Sequence, residues 1–135
     1  MSLIGYALRM AKRYYEPDTY EHALRVAANV ADNQMIPDSK MDICISLAIM
    51  HDLIEDTTYR EFNTVPIALE HGMKNITKRK DENYIDYIKN IVSNKSTCPE
   101  AYWVKLADIK DHLMQTETLT DRLKEKYLAA LSYLL

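Results

Sequence analysis

Glycine is almost absent from this chain: Gly5 and Gly72 are the only two among its 135 residues. Glycine supplies the positive backbone angles and close approaches that tight turns and phosphate-binding loops require. Two glycines so far apart exclude a glycine-rich phosphate loop and a dinucleotide-binding fingerprint. Together with only four prolines, they also disfavour an all-β fold, which needs many turns. The chain instead reads as helices joined by short polar breaks.

Chain length, composition and charge further limit the number of domains and the kinds of partner that this chain can have. A chain of 135 residues suits one domain that buries about two thirds of its surface on folding, and we expect residues 1–135 to form that single domain. An apolar content of 47% excludes general disorder. The formal net charge of −3 argues against a nucleic-acid partner, which usually requires a basic face on the protein.

The sequence also predicts a soluble, cytoplasmic protein. Its longest mostly apolar run, residues 43–50, is shorter than the roughly 20 residues that cross a membrane. The N-terminus lacks the charged start and apolar stretch of a signal peptide. Cys44 and Cys98 have neither zinc-ligand nor CxxC spacing, which favours a reducing compartment. We expect no membrane partner, and the sequence leaves the oligomeric state open.

Apolar residues recur at the three- and four-residue spacing of amphipathic helices, and no segment alternates with period two. We therefore predict an all-α fold, a single-domain helical bundle. The predicted helices cover about 3–14, 18–36, 39–56, 65–71, 82–92, 97–115 and 118–135. Polar side chains that can cap a helix stand at four of the starts, namely Asp18, Ser39, Thr97 and Thr118. Gly72 is expected to end the helix over 65–71.

An acidic cluster follows the most apolar of these stretches. His51 and Glu55 are four residues apart, as are Asp52 and Asp56, so a helix would bring them onto one surface. No Lys or Arg occurs between positions 40 and 60 to neutralise them, and the C-terminal end of a helix is already negative. A bound divalent cation would offset both costs. The alternative is a solvated acidic helix end supported by basic residues from elsewhere.

Two further residues could complete a metal site. His22 lies at the edge of the apolar stripe of the second helix, where the alternative is a hydrogen-bonded core histidine. Asp108 lies in an otherwise apolar stretch, 104–108, and a carboxylate there is costly unless it is paired or binds a metal. The alternative for Asp108 is an ion pair with a Lys or Arg.

In chain order, His22, the His51-Asp52 pair and Asp108 resemble the pattern of the HD superfamily of metal-dependent phosphohydrolases. Residues 51–57, HDLIEDT, are similar to the HDxxEDT motif of alarmone hydrolases, the hydrolase domain of the RelA/SpoT family and its small stand-alone relatives. VKLAD at 104–108 matches another segment of that family, and 76–78 resembles its VTK stretch.

The resemblance implies a role for each of these residues. It implies one divalent ion, with Mn²⁺ favoured over Fe, Ni, Zn or Mg, on the ligands His22, His51, Asp52 and Asp108. Glu55 and Asp56 would handle the attacking water and its protons. Arg13, nine residues before His22 as in the family, and Lys78 would bind substrate phosphates.

One position departs from the family. Where alarmone hydrolases usually have an Asn near the nucleoside, four residues after the VKLAD aspartate, this chain has His112. The change leaves the metal ligands intact but leaves the choice of nucleotide open. The resemblance implies removal of the 3′-pyrophosphate from guanosine tetra- or pentaphosphate (ppGpp or pppGpp). A nucleotidase or phosphatase acting on a nucleoside monophosphate or dinucleotide, and a non-enzymatic helical regulatory module, remain the alternatives.

Overall fold

The computed structural model describes residues 2–135, and in that range it contains helices and no β-strand. The prediction of an all-α fold is confirmed. No helix among these residues is both long enough and apolar enough to cross a membrane. The α-helices are α1 Leu3–Tyr14, α2 Pro17–Ala31, α3 Asp38–Met50, α4 Leu53–Asp56, α5 Tyr59–Phe62, α6 Glu70–Ile76, α7 Tyr84–Ser93, α8 Pro99–Met114 and α9 Asp121–Leu134, with a 3₁₀ turn, Ile67–Leu69, before α6.

Helix α3 lies at the centre of the larger of two apolar cores. It packs against α1, α2 and α8, and Leu47 and Met50 are fully buried. A second core forms where α7, α8 and α9 meet, around Ile88 and Ile109. Trp103 of α8 packs against both cores. Because α8 is held from two sides, any polar group on its buried face has a fixed position.

The predicted helix over 39–56 is interrupted in the structure. α3 ends at Met50, and α4 begins at Leu53 after a turn formed by His51 and Asp52. The prediction of one continuous helix was therefore wrong. Asp52 and Asp56 still lie one helical turn apart, because the N–H of Asp56 donates to the carbonyl of Asp52 at 2.9 Å. His51 and Asp52, the pair that most strongly indicates a metal site, form the junction between α3 and α4.

The predicted end of a helix at Gly72 is also wrong. Gly72 lies inside α6, which continues to Ile76. A Cβ atom added at Gly72 would lie 2.8 Å from Cδ2 of Leu47, too close for van der Waals contact. Leu47 is fully buried, so it has little room to move aside. The glycine is required by the close approach of α6 to α3 and not by a turn.

The structure does not use the predicted caps, Asp18, Ser39, Thr97 and Thr118. α2 and α8 begin at Pro17 and Pro99, because proline has no N–H and suits the first helical position. The second helix also ends at Ala31, before the predicted break at residues 36 and 37. Side-chain caps do form at Asn83 of α7 and Thr120 of α9.

Candidate metal centre

Four side chains from three separate stretches meet in the interior of the bundle. His22 comes from α2, His51 and Asp52 from the α3–α4 junction, and Asp108 from α8. One ligand atom from each lies within 4.8 Å of the corresponding atom of every other. We call these four residues the His/Asp cluster. All but Asp52 are buried, so the helices fix their positions.

The shortest distances within the cluster join imidazole nitrogens to carboxylate oxygens. Nε2 of His22 lies 2.7 Å from Oδ1 of Asp108. Nε2 of His51 lies 3.2 Å from that same oxygen and 3.2 Å from Oδ2 of Asp52. The Nε2 atoms of both rings therefore face the carboxylates across a shared space.

The outward-facing nitrogens determine how the rings are protonated. Nδ1 of His51 lies 2.6 Å from the carbonyl oxygen of Ala48, which can only accept, so this nitrogen carries a hydrogen. Nδ1 of His22 lies 2.6 Å from Oδ2 of Asp111 and donates in the same way. Each neutral ring then directs the lone pair of Nε2 at a carboxylate oxygen. Such an arrangement of acceptors requires a proton or a cation between them.

The electrostatics of the cluster lead to the same requirement. Burial lowers the pKa of both imidazoles, but Asp108 and, for His51, Asp52 outweigh it and raise both pKa values. Burial opposes ionisation of Asp108, yet Lys105 and His51 hold the pKa of that carboxyl well below its usual range. The cluster thus favours positive charge between its ligands. Two imidazole nitrogens and two carboxylate oxygens are a ligand set that fits a divalent metal ion.

The sequence left two roles open for Asp108, a metal ligand or an ion pair with a basic residue, and its two carboxylate oxygens have surroundings that suit one role each. Its Oδ2 accepts from Nζ of Lys105 at 2.9 Å, so the carboxylate does form an ion pair with a basic residue. Its Oδ1 faces the imidazoles of the cluster. Lys105 is itself buried, which makes this a pair shielded from water.

Glu55 and Asp56 lie on α4, directly after the junction. Desolvation, the largest cause, raises the pKa of Glu55 to about 7. Its Oε1 accepts a hydrogen bond from the backbone N–H of Lys78 at 3.1 Å. Burial and the charge of Asp52 also raise the pKa of Asp56. Glu55 is therefore placed to take up or release a proton near neutral pH.

The three predicted substrate-binding residues have different surroundings. Arg13 is exposed in the last turn of α1. Lys78 meets Glu55 through its backbone, while its Nζ donates to the carbonyl of Arg79 at 2.9 Å. His112 lies beside the cluster, with its Nε2 3.2 Å from Oδ1 of Asp108. Its ring stacks on His22 at a centroid distance of 4.4 Å.

Sequence reasoning missed Asp111, a buried residue one turn after Asp108. Besides facing Nδ1 of His22, its carboxylate accepts from Nε and Nη2 of Arg25 at 3.0 and 3.1 Å. Arg25 is one turn after His22 on α2. The sequence did contain a signal for this contact. Residues 22 and 25 on one helix, and 108 and 111 on another, are each one turn apart, so two such helices packed side by side bring the two pairs together.

Tyr15 and Tyr127 were also missed. The hydroxyl of Tyr15 donates to the carbonyl of Ile49 at 2.8 Å and accepts from the N–H of Asp52 at 3.1 Å. It therefore ties the end of α1 to both sides of the α3–α4 junction. The ring of Tyr127 on α9 stacks on His112 at 4.6 Å and nearly parallel. No pattern in the sequence distinguishes these two from the other tyrosines.

In a comparison with protein-family models, residues 19–132 match the family described as HD domain. The matched range covers most of the chain and contains the whole His/Asp cluster. None of the curated proteins compared with the chain matches it significantly.

Proposed function

The chain belongs to the HD domain family, whose members are typically metal-dependent phosphohydrolases, and on this premise we propose that it hydrolyses a nucleotide phosphate bond. The His/Asp cluster would hold one divalent ion, with Mn²⁺ as the first candidate. The observation that carries the proposal is the convergence of four ligand atoms within 4.8 Å from three separate stretches of chain.

The residues around the cluster suit this chemistry. A bound divalent ion lowers the pKa of a coordinated water and shields phosphate charge. The Nδ1 hydrogen bonds of His22 and His51 hold both rings with Nε2 inward. Glu55, with its pKa near 7, accepts a proton from the attacking water, and Asp56 assists beside it. Arg13 and Lys78 supply positive charge for the phosphates.

For the substrate, we propose guanosine tetra- or pentaphosphate, with release of the 3′-pyrophosphate. The support is the similarity of residues 51–57 to the HDxxEDT motif and of 104–108 to VKLAD. A manganese-dependent pyrophosphohydrolase of the alarmone type is the activity that these segments favour.

A second candidate is an HD-type nucleotidase or phosphatase that acts on a nucleoside monophosphate or a dinucleotide. The observation that favours it is His112, which replaces the Asn of alarmone hydrolases. The imidazole is stacked between His22 and Tyr127. A ring held in this way presents a different surface to a nucleoside than a free amide does.

Purified protein incubated with Mn²⁺ and a panel of nucleotides distinguishes these candidates. We expect release of pyrophosphate from guanosine tetraphosphate. Release of orthophosphate from a monophosphate or dinucleotide would assign the second candidate instead. Metal analysis is the parallel measurement. A protein that retains no stoichiometric Mn, Fe, Ni or Zn and gains no thermal stability from Mn²⁺ would favour the third alternative, a non-enzymatic helical regulatory module.

A further inference from the structure

A cavity of about 820 Å³ lies apart from the His/Asp cluster, and no member of the cluster lines it. Its walls come from Ile54 of α4, from α5 and the segment after it, from α6, from the loop before α7, and from α7 itself. The volume is within the range of roughly 300–1,000 Å³ that small-molecule sites occupy. Neither the family match nor the proposed catalytic chemistry accounts for this space.

Three positive side chains line the cavity. Arg60, Lys74 and Arg79 line it, and none of the three side chains forms an ion pair within residues 2–135. Glu70 and Glu82 also line it, so cations outnumber acids by three to two. The carboxylate of Glu82 already accepts from the N–H of Arg79 and from Asn90 at 3.3 and 3.2 Å. The two guanidinium groups are therefore available to a phosphate.

The amides that line the cavity offer acceptors. Each of the four uses its NH₂ group within the protein, and the side-chain oxygen of each makes no hydrogen bond in the described chain. These residues are Asn63, Asn75, Asn90 and Asn94. Such groups match the N–H and O–H donors of a nucleobase and a ribose.

We propose that this cavity is a second nucleotide site, in which Arg60 and Arg79 bind the phosphates and the asparagine side chains bind the nucleoside. The ligand class is a nucleoside diphosphate or similar phosphorylated nucleoside. The binding does not depend on the proposed catalytic function, because none of the lining residues belongs to the His/Asp cluster or its catalytic neighbours.

The second nucleotide site is joined to the proposed catalytic acid–base residue by three residues of chain. Thr77 and Arg79 face the cavity, while the N–H of the intervening Lys78 donates to Glu55. A ligand that fixes Thr77 and Arg79 also fixes the donor to Glu55. Occupancy of the cavity is thereby coupled to turnover, and this part of the inference rests on the proposed function.

Binding is tested by isothermal titration of the full chain with GDP, and with ADP and CDP in parallel, in EDTA so that metal-dependent binding is absent. We expect saturable binding of one nucleotide per chain. The double variant Arg60→Gln/Arg79→Gln is expected to weaken it at least tenfold. Lys80→Gln, a neighbouring exposed cation outside the cavity, serves as the matched control and should leave binding unchanged.

NMR amide shifts locate the bound nucleotide independently of any loss of affinity. We expect the largest shifts at residues 63, 75, 90 and 94. The proposal is overturned if none of the three nucleotides binds. It is equally overturned if Arg13→Gln abolishes binding while the double variant does not, since the nucleotide would then occupy the proposed substrate site. Because binding is measured without metal or turnover, failure of the proposed function leaves this test intact.

Discussion

Asp108 and Glu55 are carboxylic acids of one candidate site, but their surroundings move their pKa values in opposite directions. Asp108 is buried against Lys105 and three imidazoles, which keep it ionised. For Glu55, desolvation outweighs the opposing charge of Lys105 and raises the pKa to about 7. A permanently charged carboxylate suits a metal ligand, and one that titrates near neutral pH suits proton transfer.

These two environments predict different results from two substitutions. Asp108→Ala should abolish metal binding, because it removes the oxygen that both imidazoles face. Glu55→Ala should retain the metal and lose turnover. Metal stoichiometry and initial rates measured on both variants check this prediction. Equal loss of metal in the two would show that the division of roles is wrong.

The pH dependence of turnover should follow Glu55. A general base must be deprotonated, so a pKa raised to about 7 predicts a rate that increases as the pH rises through 7 and then levels off. In Glu55→Gln this limb should disappear along with most of the activity. The measurement is the rate at saturating substrate and Mn²⁺ between about pH 5.5 and 8.5. If the rate of Glu55→Gln still increases through pH 7, the increase is due to a different titrating residue and the prediction is wrong.

Asp111 should act as a positioning residue for His22. Its carboxylate accepts from Nδ1 of the ring and is held by Arg25, and removal of such a partner typically costs 10–100-fold in metal affinity. Asp111→Asn should weaken Mn²⁺ binding by about this factor in a competition titration with a chelator. The same substitution at Asp86, an exposed residue of α7, is the control. An unchanged affinity in Asp111→Asn would contradict this role.

At the scale of elements, the junction between α3 and α4 places His51 and Asp52. A continuous helix would satisfy the backbone hydrogen bonds without outside help. Here the chain turns, and the hydroxyl of Tyr15 forms hydrogen bonds on both sides of the turn. The ring of Tyr15 is also buried in the main core. The junction is therefore stabilised by the residue that directly follows α1, more than 30 positions earlier in the chain.

Tyr15→Phe tests this contribution to stability. The change keeps the buried ring but removes the donor to Ile49 and the acceptor for Asp52, which should cost about 1–3 kcal/mol in the free energy of unfolding. Chemical denaturation is the measurement. Tyr133→Phe, at an exposed tyrosine of α9, is expected to change stability by less than about 0.5 kcal/mol. Equal losses of stability in the two variants would show that the hydroxyl of Tyr15 does not stabilise the junction.

At the scale of the whole molecule, the His/Asp cluster connects elements that are far apart in sequence. α2, the α3–α4 junction and α8 each contribute to it, and α8 also joins the two apolar cores. A metal that binds all four residues binds the folded chain and not the unfolded one. Metal binding and global stability are therefore linked.

Added Mn²⁺ should raise the temperature of unfolding of the chelator-treated protein. At a free concentration of 100 times the dissociation constant, the gain is about 2.7 kcal/mol in the free energy of unfolding. Thermal unfolding with increasing Mn²⁺ gives the measurement. Ca²⁺, which prefers sites made of oxygen ligands alone, is the comparison ion. The absence of any shift with Mn²⁺ would argue for the regulatory module without a metal.

The sequence by itself determined the fold class and the set of candidate ligands. Apolar spacing is a local property of a helix, so α1 was predicted with its observed bounds, and α7 and α8 to within two residues at each end. The candidate ligands depend on residue type and order along the chain, which are also legible without coordinates. Pro17 and Pro99 mark the starts of α2 and α8, although the residues predicted to cap these helices do not cap them.

Only the tertiary structure decided the features that depend on contacts between distant residues. The break after Met50 involves Tyr15, the place of Gly72 inside a helix depends on Leu47, and the position of His22 depends on Asp111 and Arg25. In each case a partner far away in sequence overrides or completes the local preference. Local spacing cannot encode such partners, because they become neighbours only when the helices pack.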